Sequence, residues 1–397
     1  MIYLTDFYQP HHTPSQPHNA ADIAGAASTV RPSPSTAPAA KQSIAEPKAM
    51  SGPAPTPGPL KGYGIAVGNT LPGLPADELA RRLDDFKALG IAWIRLDFDW
   101  NDLQPSNAAS FSWSQHDKVV AAANARGLRL LPILTYTAPW ARLPACGSNP
   151  RCAPADPAQY ANFARETARH YAPLGIHHWE IWNEENSQGA WEPAANAADY
   201  VQFLKAAYTS IKQIDASATV ISGGLASSSN ADGIPQLDYL RAMYAAGAKP
   251  YFDAIGYHPY SYPVPASYNI TWNAWSQMGF TAISLRSIMA ASGDDAKQIW
   301  VTEYGAPTGG PSTEASSQDY HLNDSPDHVT EEFQAQIAAD VIRSAHNAPW
   351  IGPLFWYGYR DEGTSTDSNE NFFGLIRADG SPKPAYEALK QAIAGNQ

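Results

Sequence analysis

Eight short apolar runs alternate with eight amphipathic stretches from residue 60 to the C-terminus, and two of the runs end abruptly in a glutamate. These features predict an α/β fold of the (β/α)8 TIM-barrel type, since strands that alternate with helices build a parallel sheet that closes on itself. A third observation bounds the barrel. Residues 1–59 are rich in Pro, Ala, Ser and Thr and poor in periodic apolar positions, so they read as a disordered N-terminal tail or linker ahead of a barrel domain at 60–397.

The elements follow in order. Tyr63–Val67 is the first strand, and Ala76–Leu89 the first helix, with Asp77 and Glu78 in its first turn, Leu79, Leu83 and Phe86 on one face and Gly90 as its stop. In the second strand, Ile91–Phe98, the residues Ile94, Leu96 and Phe98 share one face, and Arg95, Asp97 and Asp99 the other. An Arg on a buried strand needs partners or water, so Arg95 either reaches the barrel mouth or pairs with Asp97. Then come a helix at Ser114–Arg126, a strand at Arg129–Leu134, a helix at Pro157–Tyr171 and the strand that ends in Glu184. Helix Ala198–Ile214, strand Thr219–Ser222, helix Pro235–Ala246 and strand Asp253–Tyr257 continue the alternation. It closes with helix Thr281–Ala291, the strand ending in Glu303, helix Thr330–Ala345, strand Pro353–Trp356 and helix Pro384–Ile393.

Composition excludes several classes of partner. The chain has 397 residues, 44% of them hydrophobic and 16% charged, with a formal net charge of −12. That acidic balance, without any run of Lys and Arg, argues against nucleic acid. No stretch approaches the ~18 apolar residues that span a bilayer. Ile2–Tyr8 is too short and polar for the apolar core of a signal peptide, so no export signal is visible. Cys146 and Cys152 share one loop with Gly147, Pro150 and Pro154, and no His stands near to complete a zinc site. A local disulfide in a secreted or cell-envelope (periplasmic) protein fits, with two free thiols as the alternative. Asn269-Ile-Thr and Asn323-Asp-Ser match the glycosylation triplet, a pattern that chance supplies in a chain this long.

The chemistry concentrates at two strand ends. His178–Asn186 reads H-W-E-I-W-N-E-E-N, and Gln298–Gly305 reads Q-I-W-V-T-E-Y-G. In an alternating β/α fold the catalytic groups sit where strands run out into loops. Two strand-end glutamates supply what glycoside hydrolysis asks for, one acid to protonate the leaving oxygen and one carboxylate to meet the anomeric carbon. A salt bridge or helix cap is the alternative for either one alone. Metal-dependent hydrolysis would need strand-borne His pairs, but His177 and His178 are adjacent and point apart, and no H-x-H occurs. Neither a metal nor a cofactor is expected.

From Lys61 onward the chain resembles clan A glycoside hydrolases, families 39 and 5 above all. The resemblance rests on the W-N-E of Trp182–Glu184, the T-E of Thr302–Glu303, Arg95, the His258-Pro259-Tyr260 triplet, Trp356, and the closing segment from Phe373 to Tyr386. It implies Glu184 as acid/base, Glu303 as ionised nucleophile beside Arg95 and Tyr260, and Asn183 as a donor to the sugar 2-hydroxyl. Glu184, lacking such partners, is expected to hold its proton. His258 orients the acid, touches a hydroxyl or is structural; Trp356 is expected as the floor under the ring, joined to Tyr357 by a cis peptide. One departure stands out, since Glu185 occupies the place where the family usually has Pro; alternation along an extended strand favours Glu184. Tyr136, Trp140, Trp191, Trp272 and Trp275 lie in or near strand-to-helix loops as candidate sugar contacts, with loop packing as the alternative for each. The polar loop Gly309–Asp327 is a candidate lid. Family 39 xylosidases carry an added β-sandwich, and this chain stops soon after its eighth helix, so the resemblance leans toward single-barrel endo-acting members. A monomeric retaining enzyme acting on a polysaccharide or oligosaccharide, a β-glucan or bacterial exopolysaccharide above all, is the expectation, with an exo-acting β-xylosidase-like or arabinosidase-like enzyme and a non-catalytic carbohydrate-binding barrel as the alternatives.

Overall fold

The computed structural model describes residues 60–228, 230–231, 233–319 and 326–396. The expected tail at 1–59, the triplet at Asn323 and part of the expected lid lie outside these residues. Eight parallel strands close into a barrel in sequence order: β1 (Tyr63–Ala66), β2 (Trp93–Asp99), β3 (Arg129–Thr135), β4 (His178–Asn183), β5 (Thr219–Ala226), β6 (Ala254–His258), β7 (Gln298–Tyr304) and β8 (Ile351–Tyr357). The helices are α1 (Ala76–Ala88), α2 (Ser114–Asn124), α3 (Pro157–Tyr171), α4 (Ala197–Ile214), α5 (Gln236–Ala245), α6 (Leu285–Ala291), α7 (Glu331–His346) and α8 (Pro384–Ala394). This is the expected TIM barrel.

Local chemistry sets the boundaries. Asp156, Asn196 and Thr330 cap α3, α4 and α7 by accepting backbone N–H bonds. The α6 helix begins at Leu285, later than the expected Thr281, because Ser284 and Ser287 form a reciprocal capping box. Short pieces that periodicity does not reveal join them: a turn of helix at Trp100–Leu103, another at Ser276–Gly279, and a two-stranded pairing of Glu314–Ala315 with His328–Val329 inside the expected lid.

The barrel interior is plugged by Ala66, Trp93, Leu131, Ile221, Ala254, Trp300 and Phe355. Trp93 meets Trp300 edge-on at 5.5 Å. Polar side chains are thereby left to the C-terminal strand ends.

Two irregularities decide what those ends present. Leu354 pairs with Val301 and Trp356 with Tyr304, so Phe355 alone opposes both Thr302 and Glu303. This bulge in β7 adds one residue. Regular alternation would have sent Glu303 to the outer face beside Val301; the extra residue turns it to the mouth. In β4 the same work is done by Trp182, whose φ of 73° is rare for a bulky side chain. Ile181 and Trp182 both pack into the outer core, and Asn183 then turns inward.

One expectation is corrected. The cis peptides among the described residues are Glu192–Pro193 and Tyr262–Pro263, and the Trp356–Tyr357 bond is trans. Ile65 pairs with Trp356 and Ala66 with Tyr357 in unbroken parallel register, which keeps the backbone extended there. Cys146 and Cys152 are joined in a disulfide with their Cα atoms 5.8 Å apart. Among the described residues no helix is long and apolar enough to cross a membrane.

Candidate active site

Arg95 organises the floor of the mouth. It is 2% exposed, and each nitrogen of its fork donates: Nε to Glu180 Oε2 at 2.6 Å, Nη2 to Glu180 Oε1 at 3.1 Å and Asn183 Oδ1 at 2.7 Å, and Nη1 to Glu303 Oε1 at 2.5 Å. Burial alone would discharge the guanidinium, but Glu180 and Glu303 more than offset it and its pKa is raised. Asp97 is not its partner, which decides between the two readings of Arg95.

Glu303 ends β7 with a second donor, the Tyr260 hydroxyl, 2.8 Å from Oε2. Burial favours the protonated form, yet His258, Arg95 and Tyr260 outweigh it, holding the Glu303 carboxyl below the usual glutamate range. The environment favours the ionised carboxylate.

Glu184 faces it from β4. Its own φ is 54°, and its Oε1 lies 3.0 Å from His258 Nδ1. Glu184 therefore does have a partner, contrary to the expectation. His258 is fully buried, with Nδ1 3.6 Å from Glu303 Oε2 and Nε2 3.5 Å from Arg95 Nη2. Nη2 spends its two N–H groups on Glu180 and Asn183, and Nδ1 is the ring nitrogen that faces the two carboxylates. Room for the ring comes from Gly224 in β5, where a Cβ would stand 2.1 Å from His258 Nε2. One ligand atom each of Glu184, His258 and Glu303 lie within 4.8 Å of one another. This is the one trio with metal-ligand spacing among the described residues, and Arg95, 2.5 Å from Glu303, sets a fixed positive charge against a second cation there.

Glu184 and Glu185 go to different places. Glu185 is fully buried behind the mouth, and neither of its oxygens has a hydrogen-bond partner. It packs against Gly223, where a Cβ would meet Oε2 at 1.9 Å. Burial pushes its carboxyl up to about 8. Asn186 holds the turn in place, bonding through its amide to the backbone of Ala226 and Ile234.

Trp356 does not reach the mouth. With Phe355 in the barrel plug, Trp356 points outward, 0% exposed, its indole N–H donating to Phe373 O at 3.2 Å. Tyr357 takes the inner position, its ring 6.2 Å from Tyr260 and its hydroxyl donating to Glu370 Oε2 at 3.3 Å. Tyr136 stands half-buried after β3 with a φ of 60°. Trp140 is spent on loop packing, its indole N–H on Gln104 O at 2.8 Å and its ring against Trp100. Trp191 and Trp275 are buried, and Trp272 is exposed.

Glu180 was not singled out from the sequence. A carboxylate in the middle of an apolar strand signals a buried partner just as Arg95 does, and the two signals are each other's answer. Glu370 and Tyr357, set by an irregular turn and a strand alternation respectively, gave no comparable sign.

The cellulase model, glycosyl hydrolase family 5, matches residues 62–350. No curated protein matches the chain. Solved structures with the same fold include a family 39 glycoside hydrolase from the gut symbiont Bacteroides cellulosilyticus WH2, at 22% identity and TM-score 0.61, covering 83% of this chain; this chain spans 63% of that one. A family 39 β-xylosidase from Caulobacter crescentus follows at 19% identity and TM-score 0.60, over 85% of this chain and 73% of that one. A family 5 subfamily 18 enzyme from Streptomyces cattleya, solved in complex with GlcNAc, aligns at 17% identity and TM-score 0.63, over 85% and 80%. With the family model spanning most of the barrel, the chain belongs to the cellulase family, glycosyl hydrolase family 5 of clan A, and is an O-glycoside hydrolase.

Proposed function

We propose that the enzyme cleaves β-glycosidic bonds of a polysaccharide with retention of configuration, Glu303 acting as nucleophile and Glu184 as acid/base. One observation carries the reading: carboxylate oxygens of the two glutamates approach within 4.8 Å, near the about 5–5.5 Å of retaining pairs and short of the about 6.5–9.5 Å that inverting enzymes need for an intervening water. The asymmetry of their surroundings supports the roles. Glu303, ionised by Arg95 and Tyr260, attacks the anomeric carbon while Glu184 gives its proton to the departing glycosidic oxygen. Glu184 then takes a proton from water, whose oxygen displaces Glu303 from the glycosyl ester. Because Asn183 Oδ1 is held by Arg95, its amide N–H groups are the part left for the sugar 2-hydroxyl. Tyr357 replaces Trp356 as the aromatic surface beside the ring.

The name of the matched family supports a β-glucan as the first polymer to try and internal cleavage as the first mode. The likeness to a β-xylosidase keeps exo-action as the second reading. The disulfide supports a secreted or cell-envelope location. The test is reducing-end release from glucans, xylans, mannans and exopolysaccharides, with NMR of the first-formed anomer. A β-anomer released first supports the mechanism; an α-anomer first, or release undiminished in Glu303→Gln, overturns it.

A further inference from the structure

Resting on that reading, we propose that Asp97 and Glu370 are specificity-determining residues, two carboxyls that accept hydrogen bonds from donor groups, hydroxyl or ammonium, of the sugar held on the nucleophile side, and so select neutral or amino sugars against uronates.

Asp97 lies on the inward face of β2, one layer above Arg95. Arg95 pairs with Leu131 and Asp97 with Ile133, and Leu131 belongs to the barrel plug, so the whole row faces inside. Its backbone N–H is tied to Gly68 O at 3.1 Å, and its Oδ2 lies about where a Cβ on Gly68 would be in van der Waals contact, at 4.0 Å. No hydrogen bond or ion pair reaches its carboxyl from any described residue. The other inward carboxylates described at this level are committed: Glu180 to Arg95, and Glu303 to Arg95 and Tyr260.

Glu370 sits in the turn Asn369–Phe372 that follows β8. Its Oε1 is buried without a donor, and its Oε2 receives only the long Tyr357 hydroxyl bond of 3.3 Å, which leaves Oε2 a second lone pair for a ligand donor. Tyr357 packs on Tyr260, and Tyr260 bonds Glu303, so Glu370 stands at the end of a continuous wall that begins at the nucleophile. Burial, with Glu303 among the opposing charges, pushes both Asp97 and Glu370 up to about 7. A donor group brought by a ligand would relieve that cost.

Position tells which sugar they meet. Barrel order places β1 between β8 and β2, so the two carboxyls flank one arc of the mouth, while Glu184 rises from β4 across it. The leaving group departs toward the acid. The ring bonded to Glu303 therefore lies over the β8–β1–β2 arc. A ring carboxylate there would face two further carboxyls, and the Arg95 charge beside them is already paired with Glu180 and Glu303.

The experiment compares wild type, Asp97→Asn, Asp97→Ala and Glu370→Gln on three β-linked polymers of the same backbone type: a glucan, a de-N-acetylated glucosamine polymer and a glucuronan. Wild type is expected to cut the glucan or the glucosamine polymer, which distinguishes hydroxyl from ammonium donors, and to leave the glucuronan. Each variant should lose about tenfold to a hundredfold in kcat/KM on the polymer that is cut, the scale of one hydrogen bond to a charged acceptor. Melting temperatures of the two Asp97 variants should not fall, because neither removes a bond within the protein. Preference for the glucuronan, variant rates within twofold of wild type, or a melting temperature that falls with activity would each overturn the inference. Release from no polymer would sink the glycosidase reading first, and this one with it.

Discussion

Arg95 Nη1 donates to Glu303 Oε1 at 2.5 Å, and the same guanidinium is clamped from below by both oxygens of Glu180. The Glu303 carboxylate is thus held by a cation that is itself held. Fixed donors aimed at a reacting carboxylate need no rearrangement during reaction, which is the usual source of large catalytic terms.

Replacing Arg95 by Lys should shift the acid limb of kcat/KM upward. Glu303 is required ionised, and its pKa lies below the ordinary value because His258, Arg95 and Tyr260 outweigh burial. A lysine keeps one charge but loses the fork that spans Glu180, Asn183 and Glu303 together. Activity is therefore lost at a higher pH as acid is added. An unmoved acid limb in a pH–rate profile would show that Arg95 does not set the ionisation of Glu303.

Glu184→Gln and Glu185→Gln should behave differently toward leaving groups. Loss of general acid catalysis costs about 10²–10⁴-fold on a polymer, and much less on an aryl glycoside whose phenol leaves unaided. Added azide should restore turnover of that aryl substrate in Glu184→Gln. Glu185→Gln should stay within severalfold of wild type on both. A reversal of this pattern would move the acid to Glu185.

The eight-fold alternation was readable because buried parallel strands and amphipathic helices have distinct periods, and each helix carries its own stop or cap. Glu184, Glu303, Arg95, Asn183, His258 and Tyr260 were readable as types, being polar residues at the ends of apolar strands. Where each one points was less so. Glu303 reaches the mouth through a bulge, and Glu184 through positive φ at Trp182 and at itself, and no local sequence preference encodes either. The alternation argument expected Glu184 to face the mouth and Glu185 to turn away, and they do so although the backbone there is no longer an extended strand. Trp356 was misplaced for the complementary reason. It is a large aromatic near a strand end, and only the inward position of Phe355 shows that its neighbour Tyr357 takes the mouth.

That exchange is testable. Tyr357→Ala removes the ring beside the catalytic pair and should raise KM about tenfold with little change in melting temperature, as one aromatic contact at a partly open site is worth about 0.5–1.5 kcal/mol. Trp356→Ala empties a core position and should cost about 3–5 kcal/mol of stability. Its effect on KM at a temperature where the fold persists should be small. Equal KM effects from both substitutions, measured beside thermal melts, would contradict the assignment of the two faces.

Glu185 should make the enzyme less stable as pH rises. Its carboxyl is fully buried without a hydrogen-bond partner, and burial raises it to about 8, while in the unfolded chain it returns to about 4.3. Between those values the native state holds a proton that the unfolded state has released, so stability falls by about 1.4 kcal/mol per pH unit from this group. The contribution is fully present below the unfolded value and is lost as pH climbs through the folded one. Tyr200 offsets little of this, because its hydroxyl donates to Ile181 O and accepts from Gly223 N–H. Glu185→Gln keeps the shape and removes the titration. Wild type and variant should therefore melt at similar temperatures near pH 5, and the variant should melt higher at pH 8. A difference in melting temperature that stays constant across that range would mean that Glu185 is not the titrating group.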